Sequence, residues 1–95
     1  MKLIQYSSSS CGPCRIAKRY ITETYPDLDY TIINVKTMKE DDEFFYKNFI
    51  SRLSAIPRFI VLDDDNKLLK DIGMGFSINS ATAKTLKNAI EKYSE

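Results

Sequence analysis

The sequence contains no histidine and no tryptophan, and its 95 residues include only two cysteines. Without histidine, every nucleophile scheme built on an imidazole base is excluded, together with most metal sites. Two cysteines fall short of the four protein ligands a structural zinc site usually takes. Excess charge is lacking too, because 14 basic residues face 13 acidic ones for a net charge of +1. Such a balance gives neither nucleic acid nor an anionic membrane surface an electrostatic hold. No window approaches the ~20 apolar residues of a transmembrane helix. The stretch Met1-Lys2-Leu3-Ile4-Gln5-Tyr6 is too short in apolar residues for a signal peptide. Together these absences predict a protein of the reducing cytoplasm, with no nucleic-acid or membrane partner and no bound metal or cofactor.

What is present is a globular composition, 43% hydrophobic and 12% aromatic, enough for one packed core without staples. No repeat, linker or boundary interrupts it, which predicts a single domain over residues 1–95 and a monomer. Lys2–Tyr6 reads as a buried strand and Ser7–Ser10 as a loop. From the cysteine region to about Tyr25, Ala17, Tyr20, Ile21 and Tyr25 recur at helical spacing, and Pro26-Asp27 ends the helix. Tyr30–Val35 is β-rich. A second helix is expected from about Glu40 to Leu53, with Phe45, Phe49, Ile50 and Leu53 as core and acidic residues at its positive end. Arg58–Leu62 and Lys67–Ile72 flank the turn Asp63–Asn66 as a hairpin, which Gly73-Met74-Gly75 breaks. That acidic turn lacks the glycine and distal glutamate of a calcium loop and reads as solvated. Ser77–Ser80 supplies N-cap candidates for a last helix with Ala83, Leu86, Ile90 and Tyr93 on one face. The order is β-α-β-α-β-β-α, an α/β arrangement with parallel pairing at the front and antiparallel pairing at the back.

Cys11-Gly12-Pro13-Cys14 carries the chemistry. An ordinary thiol has a pKa of about 8.5. At a helix N-terminus, free backbone N–H groups and the helix dipole favour the thiolate, which is the nucleophile. Cys11 is expected at the cap and Cys14 in the first turn, shielded by the helix. Pro13 suits a first turn whose N–H needs no partner, and Gly12 leaves room for a substrate to reach Cys11. The expected sequence of events is attack by Cys11 on a target disulfide, then attack by Cys14 on Cys11 to release the reduced target. Half of an intermolecular zinc site, or an inert pair, is the alternative. Arg15, Lys18 and Arg19 add positive charge nearby and read as a solvated helix face.

The Cys11-Gly12-Pro13-Cys14 motif resembles the active site of thioredoxins. Ala55-Ile56-Pro57-Arg58-Phe59-Ile60-Val61-Leu62 is similar to that family's Ile-Pro-Thr segment and following strand, and Ile72-Gly73-Met74 to its Val-Gly-Ala segment. The resemblance implies a thioredoxin-like fold with a four-stranded mixed sheet and three helices. It implies a cis peptide bond before Pro57, substrate binding along Ile56, Pro57, Gly73 and Met74, protein disulfides as substrates and a thioredoxin-reductase-type electron donor.

The departures are specific. Ser10 stands where thioredoxins carry Trp, Gln5 where they bury an Asp, about Ile32 where that Asp has a Lys partner, and Arg58 where Thr is usual. Arg58 reads either as a cation favouring the Cys11 thiolate or acidic substrates, or as a solvent-facing strand residue. The short length and the lead-in Tyr6-Ser7-Ser8-Ser9-Ser10-Cys11 are similar to glutaredoxins. Yet Ser8 replaces their Lys, and Gly73-Met74-Gly75-Phe76 replaces their Gly-Gly…Asp segment, two features that serve glutathione binding. The expected function is dithiol reduction of protein disulfides. The alternatives are a glutathione-dependent glutaredoxin or a non-catalytic binding module of the same fold.

Overall fold

The apolar strand at the start of the chain becomes the centre of the molecule. The computed structural model describes residues 1–36 and 56–93. In it β1 (Lys2–Ser7) is flanked by β2 (Tyr30–Asn34) on one side and β3 (Arg58–Leu62) on the other, with β4 (Leu68–Met74) at the far edge. β1 runs parallel to β2, with Gln5 opposite Ile32, and antiparallel to β3, with Tyr6 opposite Arg58. β3 and β4 form the expected hairpin. Its turn is held by the Asp63 carboxylate, which accepts from the backbone N–H groups of Asp65 and Lys67. Asn66, at φ 61°, supplies the left-handed residue such a turn favours.

Two helices lie within the described residues, α1 (Gly12–Thr24) and α2 (Ala81–Tyr93). The helix expected over 40–53 lies outside them. α1 buries Cys14, Ala17 and Ile21, while α2 buries Ala83, Leu86, Ala89 and Ile90. Both faces pack with Leu3, Phe59 and Val61 on one side of the sheet. Phe76 joins this core, its ring 5.7 Å from Tyr20 and 6.0 Å from Phe59. Ile4, Tyr6, Ile33, Ile60 and Leu62 form a second core on the opposite side. Successive β1 residues thus enter different cores, which explains why the strand is apolar almost throughout. Ser80 starts α2, its hydroxyl accepting from the Ala83 N–H at 3.1 Å, as the serine cluster predicts.

One expectation is corrected. Gly73-Met74 does not break β4, which runs through both residues. The register steps by one residue between Phe59 and Ile60, and Gly73 pairs with Phe59 at φ 117°. A glycine in that conformation absorbs the irregularity, so the ladder continues rather than ends.

Candidate active site

The sheet assembles the site by bringing three chain segments to one end. β1 finishes at Ser7 and enters the serine loop, whose Ser8 carbonyl accepts from the Cys11 N–H at 3.3 Å. The antiparallel register that pairs Tyr6 with Arg58 brings Ser7 and Pro57 to the same edge. Arg58 pairs in turn with Met74, and the Gly75 N–H donates to the Pro57 carbonyl at 2.8 Å. The Cys11 loop, the Ile56-Pro57 entry to β3 and the Met74-Gly75 exit of β4 therefore converge, although about 60 residues of sequence separate the first from the last. The Ile56–Pro57 peptide bond is cis, as the resemblance implies, and the Pro57 ring is fully buried.

Cys11 is the N-cap of α1, and its sulfur accepts from the Cys14 N–H at 3.2 Å. Pro13 occupies the first turn, where no N–H is required. Cys11 and Cys14 are joined as a disulfide with Cα atoms 5.2 Å apart. This separation lies within the range a disulfide spans without backbone movement. The two sulfurs differ in access. Cys11 is half-buried behind exposed Gly12 and Pro13, whereas Cys14 is buried at 2% exposure. Beside Cys14, Ser7–Ser9, Arg15, Lys18, Ile32 and Asn34 line an open recess of about 210 Å³. Among the described residues no cluster of His, Cys, Asp or Glu could hold a metal ion.

Arg58 is paired across the hairpin. Its guanidinium grips the Asp71 carboxylate with both Nε, at 3.1 Å, and Nη2, and its side chain is only 12% exposed. The forked geometry of the guanidinium matches the two oxygens of a carboxylate. The pair ties β3 to β4. Arg15, Lys18 and Arg19 stand exposed, as expected of a solvated face, with Arg19 paired to Glu23 one turn on.

Beneath Cys14 lies a contact that motif reading passed over. Gln5 is fully buried, and its amide donates to the Cys14 carbonyl at 3.1 Å. The Tyr30 hydroxyl donates to the other end of the same amide. Burial pushes the Tyr30 phenol well above its ordinary value, so it remains a protonated donor. The signal in the sequence was a lone amide within the apolar run Leu3–Tyr6, because a buried amide needs partners at both ends. Tyr30 gave no such signal, since a tyrosine that opens a strand looks ordinary.

No family model matches the chain. A thioredoxin H-type from Fagopyrum esculentum is 24% identical over 74 residues, which are 75% of this chain and 59% of that relative. The chain thus spans about three-fifths of the length of the curated relative it matches. Thioredoxin O2 from Arabidopsis thaliana, solved in its oxidized state, superposes at a TM-score of 0.66 with 18% identity, covering 99% of this chain and 75% of that one. Thioredoxin 1 from the thermophilic eubacterium Thermosipho africanus superposes at 0.60 with 19% identity over 100% of both chains. These likenesses show a thioredoxin fold, with the cysteine pair at the head of α1. Chemically, the arrangement suits thiol–disulfide exchange, with one accessible sulfur at a helix N-terminus and one shielded sulfur within bonding distance.

Proposed function

We infer that the chain is a thiol–disulfide oxidoreductase that reduces protein disulfides by a dithiol cycle. The observation that carries this reading is the division of labour in the pair, with Cys11 capping α1 and Cys14 buried behind it. In the reduced protein, the Cys11 thiolate attacks a target disulfide and displaces one target sulfur as a thiolate. Cys14 then attacks Cys11 and displaces the second, closing the Cys11–Cys14 disulfide. Two electrons pass to the target, and an external donor restores the dithiol.

Around the pair, the backbone of Ile56 hydrogen-bonds an extended substrate, an edge-strand mode of recognition, with cis Pro57 facing the cysteines. Gly73 and the 43% exposed Met74 complete the groove. Gly12 and Pro13 keep Cys11 approachable. Arg58, paired with Asp71, stands at the entry to β3 next to Pro57. The donor in this reading is a thioredoxin-reductase-type flavoenzyme, and the setting is a monomer of one domain over residues 1–95 in the cytoplasm. No helix among the described residues is long and apolar enough to cross a membrane.

The test is reduction of insulin with NADPH and such a flavoenzyme. Turnover is expected. No turnover with several such reductases, alongside turnover with glutathione, would move the protein to a glutaredoxin-type cycle. Full biological activity in a Cys11→Ser variant would make it a binding module.

A further inference from the structure

Gln5 lies at the middle of the central strand, wholly buried, under the first turn of α1. Its orientation follows from its neighbours. A backbone carbonyl can only accept, so the end of the amide facing Cys14 must be Nε2. The other end is then Oε1, which needs a donor, and the Tyr30 hydroxyl supplies it. The chain of hydrogen bonds has one direction, from the Tyr30 O–H through the Gln5 amide to the Cys14 carbonyl. Tyr30 opens β2 opposite Leu3, so the adjoining parallel strand sets the height of the amide. The group that meets the Cys14 backbone from below is therefore neutral and hydrogen-bonded at both ends.

We propose that Gln5, oriented by Tyr30, is the positioning residue of the resolving cysteine. It fixes the first turn of α1 on β1 so that the Cys14 sulfur stands at the depth from which it attacks Cys11. In that attack, the Cys14 thiol loses its proton to solvent and a bond forms between the Cys14 and Cys11 sulfurs. The bond from Cys11 to the departing sulfur breaks, and its electron pair leaves with that thiolate. The proposal rests on the dithiol reading only in assigning resolution to Cys14, and it is independent of donor and target.

The test uses the reduced full chain and dithiobis(nitrobenzoate), and the thionitrobenzoate released at each attack is followed by absorbance. Attack by Cys11 gives a first phase that scales with reagent concentration. Attack by Cys14 on the resulting mixed disulfide gives a second phase that does not. Gln5→Met keeps the side-chain length and removes both hydrogen bonds. It is expected to slow the second phase about tenfold, the scale of losing the one bond that reaches the Cys14 turn directly, and to leave the first phase unchanged. Tyr30→Phe should slow the second phase roughly two- to threefold, because the amide stays but loses its orienting donor. An unchanged second phase in folded Gln5→Met, or equal slowing of both phases, overturns the proposal. If Gln5→Met fails to fold by circular dichroism, Tyr30→Phe decides alone on the same criteria. Absence of insulin reduction with these phase effects intact would overturn the proposed function and leave the role of Gln5 standing. A native chain without a second phase would overturn the role of Gln5.

Discussion

Two sulfurs three residues apart occupy different surroundings. The Cys11 side is a rim made of chain entries and exits: the serine loop, Pro57 and Met74-Gly75. The Cys14 side is a floor made of sheet interior, where Gln5 and Tyr30 hold the helix turn by its carbonyl. A rim of turns leaves a thiol accessible, and a floor of strands fixes one in place. The difference shows how a single helix turn can offer one sulfur to a partner while reserving the other.

The largest effect should come from the rim. Cys11→Ser is expected to abolish disulfide reduction while folding normally, because serine is itself a preferred N-cap. Insulin turnover with thermal unfolding checks both parts, and retained turnover would erase the distinction between the two sulfurs. Next, Cys14→Ser should leave attack intact and trap a mixed disulfide on Cys11. Mass spectrometry after reaction with a disulfide substrate should show the adduct, and its absence would mean that the assigned order of attack is wrong.

Smaller effects sharpen the comparison through stability. Arg58→Ala uncouples the partly buried pair that ties β3 to β4 beside the rim, leaving Asp71 without its partner. A loss of about 1–2 kcal/mol is expected in urea unfolding, between the values for exposed and buried pairs. A loss within error would show that the rim does not depend on this pair. The floor has a signature in alkali. Burial raises the Tyr30 phenol above its unfolded value, so the folded state favours the protonated form. The stability this contributes is whole below pH about 10 and is lost as pH rises beyond it. The fall in melting temperature above pH about 10 should therefore be shallower in Tyr30→Phe than in the native chain. Some slope will persist, because burial and the neighbouring Tyr20 raise Tyr25 as well. Equal slopes would remove Tyr30 from the floor.

Much of this was legible in the sequence because it depends on local rules. The period of Ala17, Tyr20 and Ile21 is that of α1. The Asp63–Asn66 cluster carries its own turn chemistry, and Ser80 its own cap. The cysteine spacing with Pro13 sets a helix start with one sulfur at the cap. Gly73 was misread for a local reason: a glycine at the end of a strand pattern can close the strand or mark a bulge within it, and only pairing with Phe59 shows which has occurred.

By itself, then, the sequence determined the elements of the described residues, the cap and the spacing of the cysteine pair, since each follows from residues a turn or a strand apart. Tertiary structure alone decided three things. It paired Arg58 with Asp71 instead of leaving it free. It brought Pro57 and Gly75 to the cysteine edge. It joined Gln5 to Tyr30 across two strands. Each of these is a meeting of distant residues set by sheet register, and register is a property of the packed whole, which no single segment encodes.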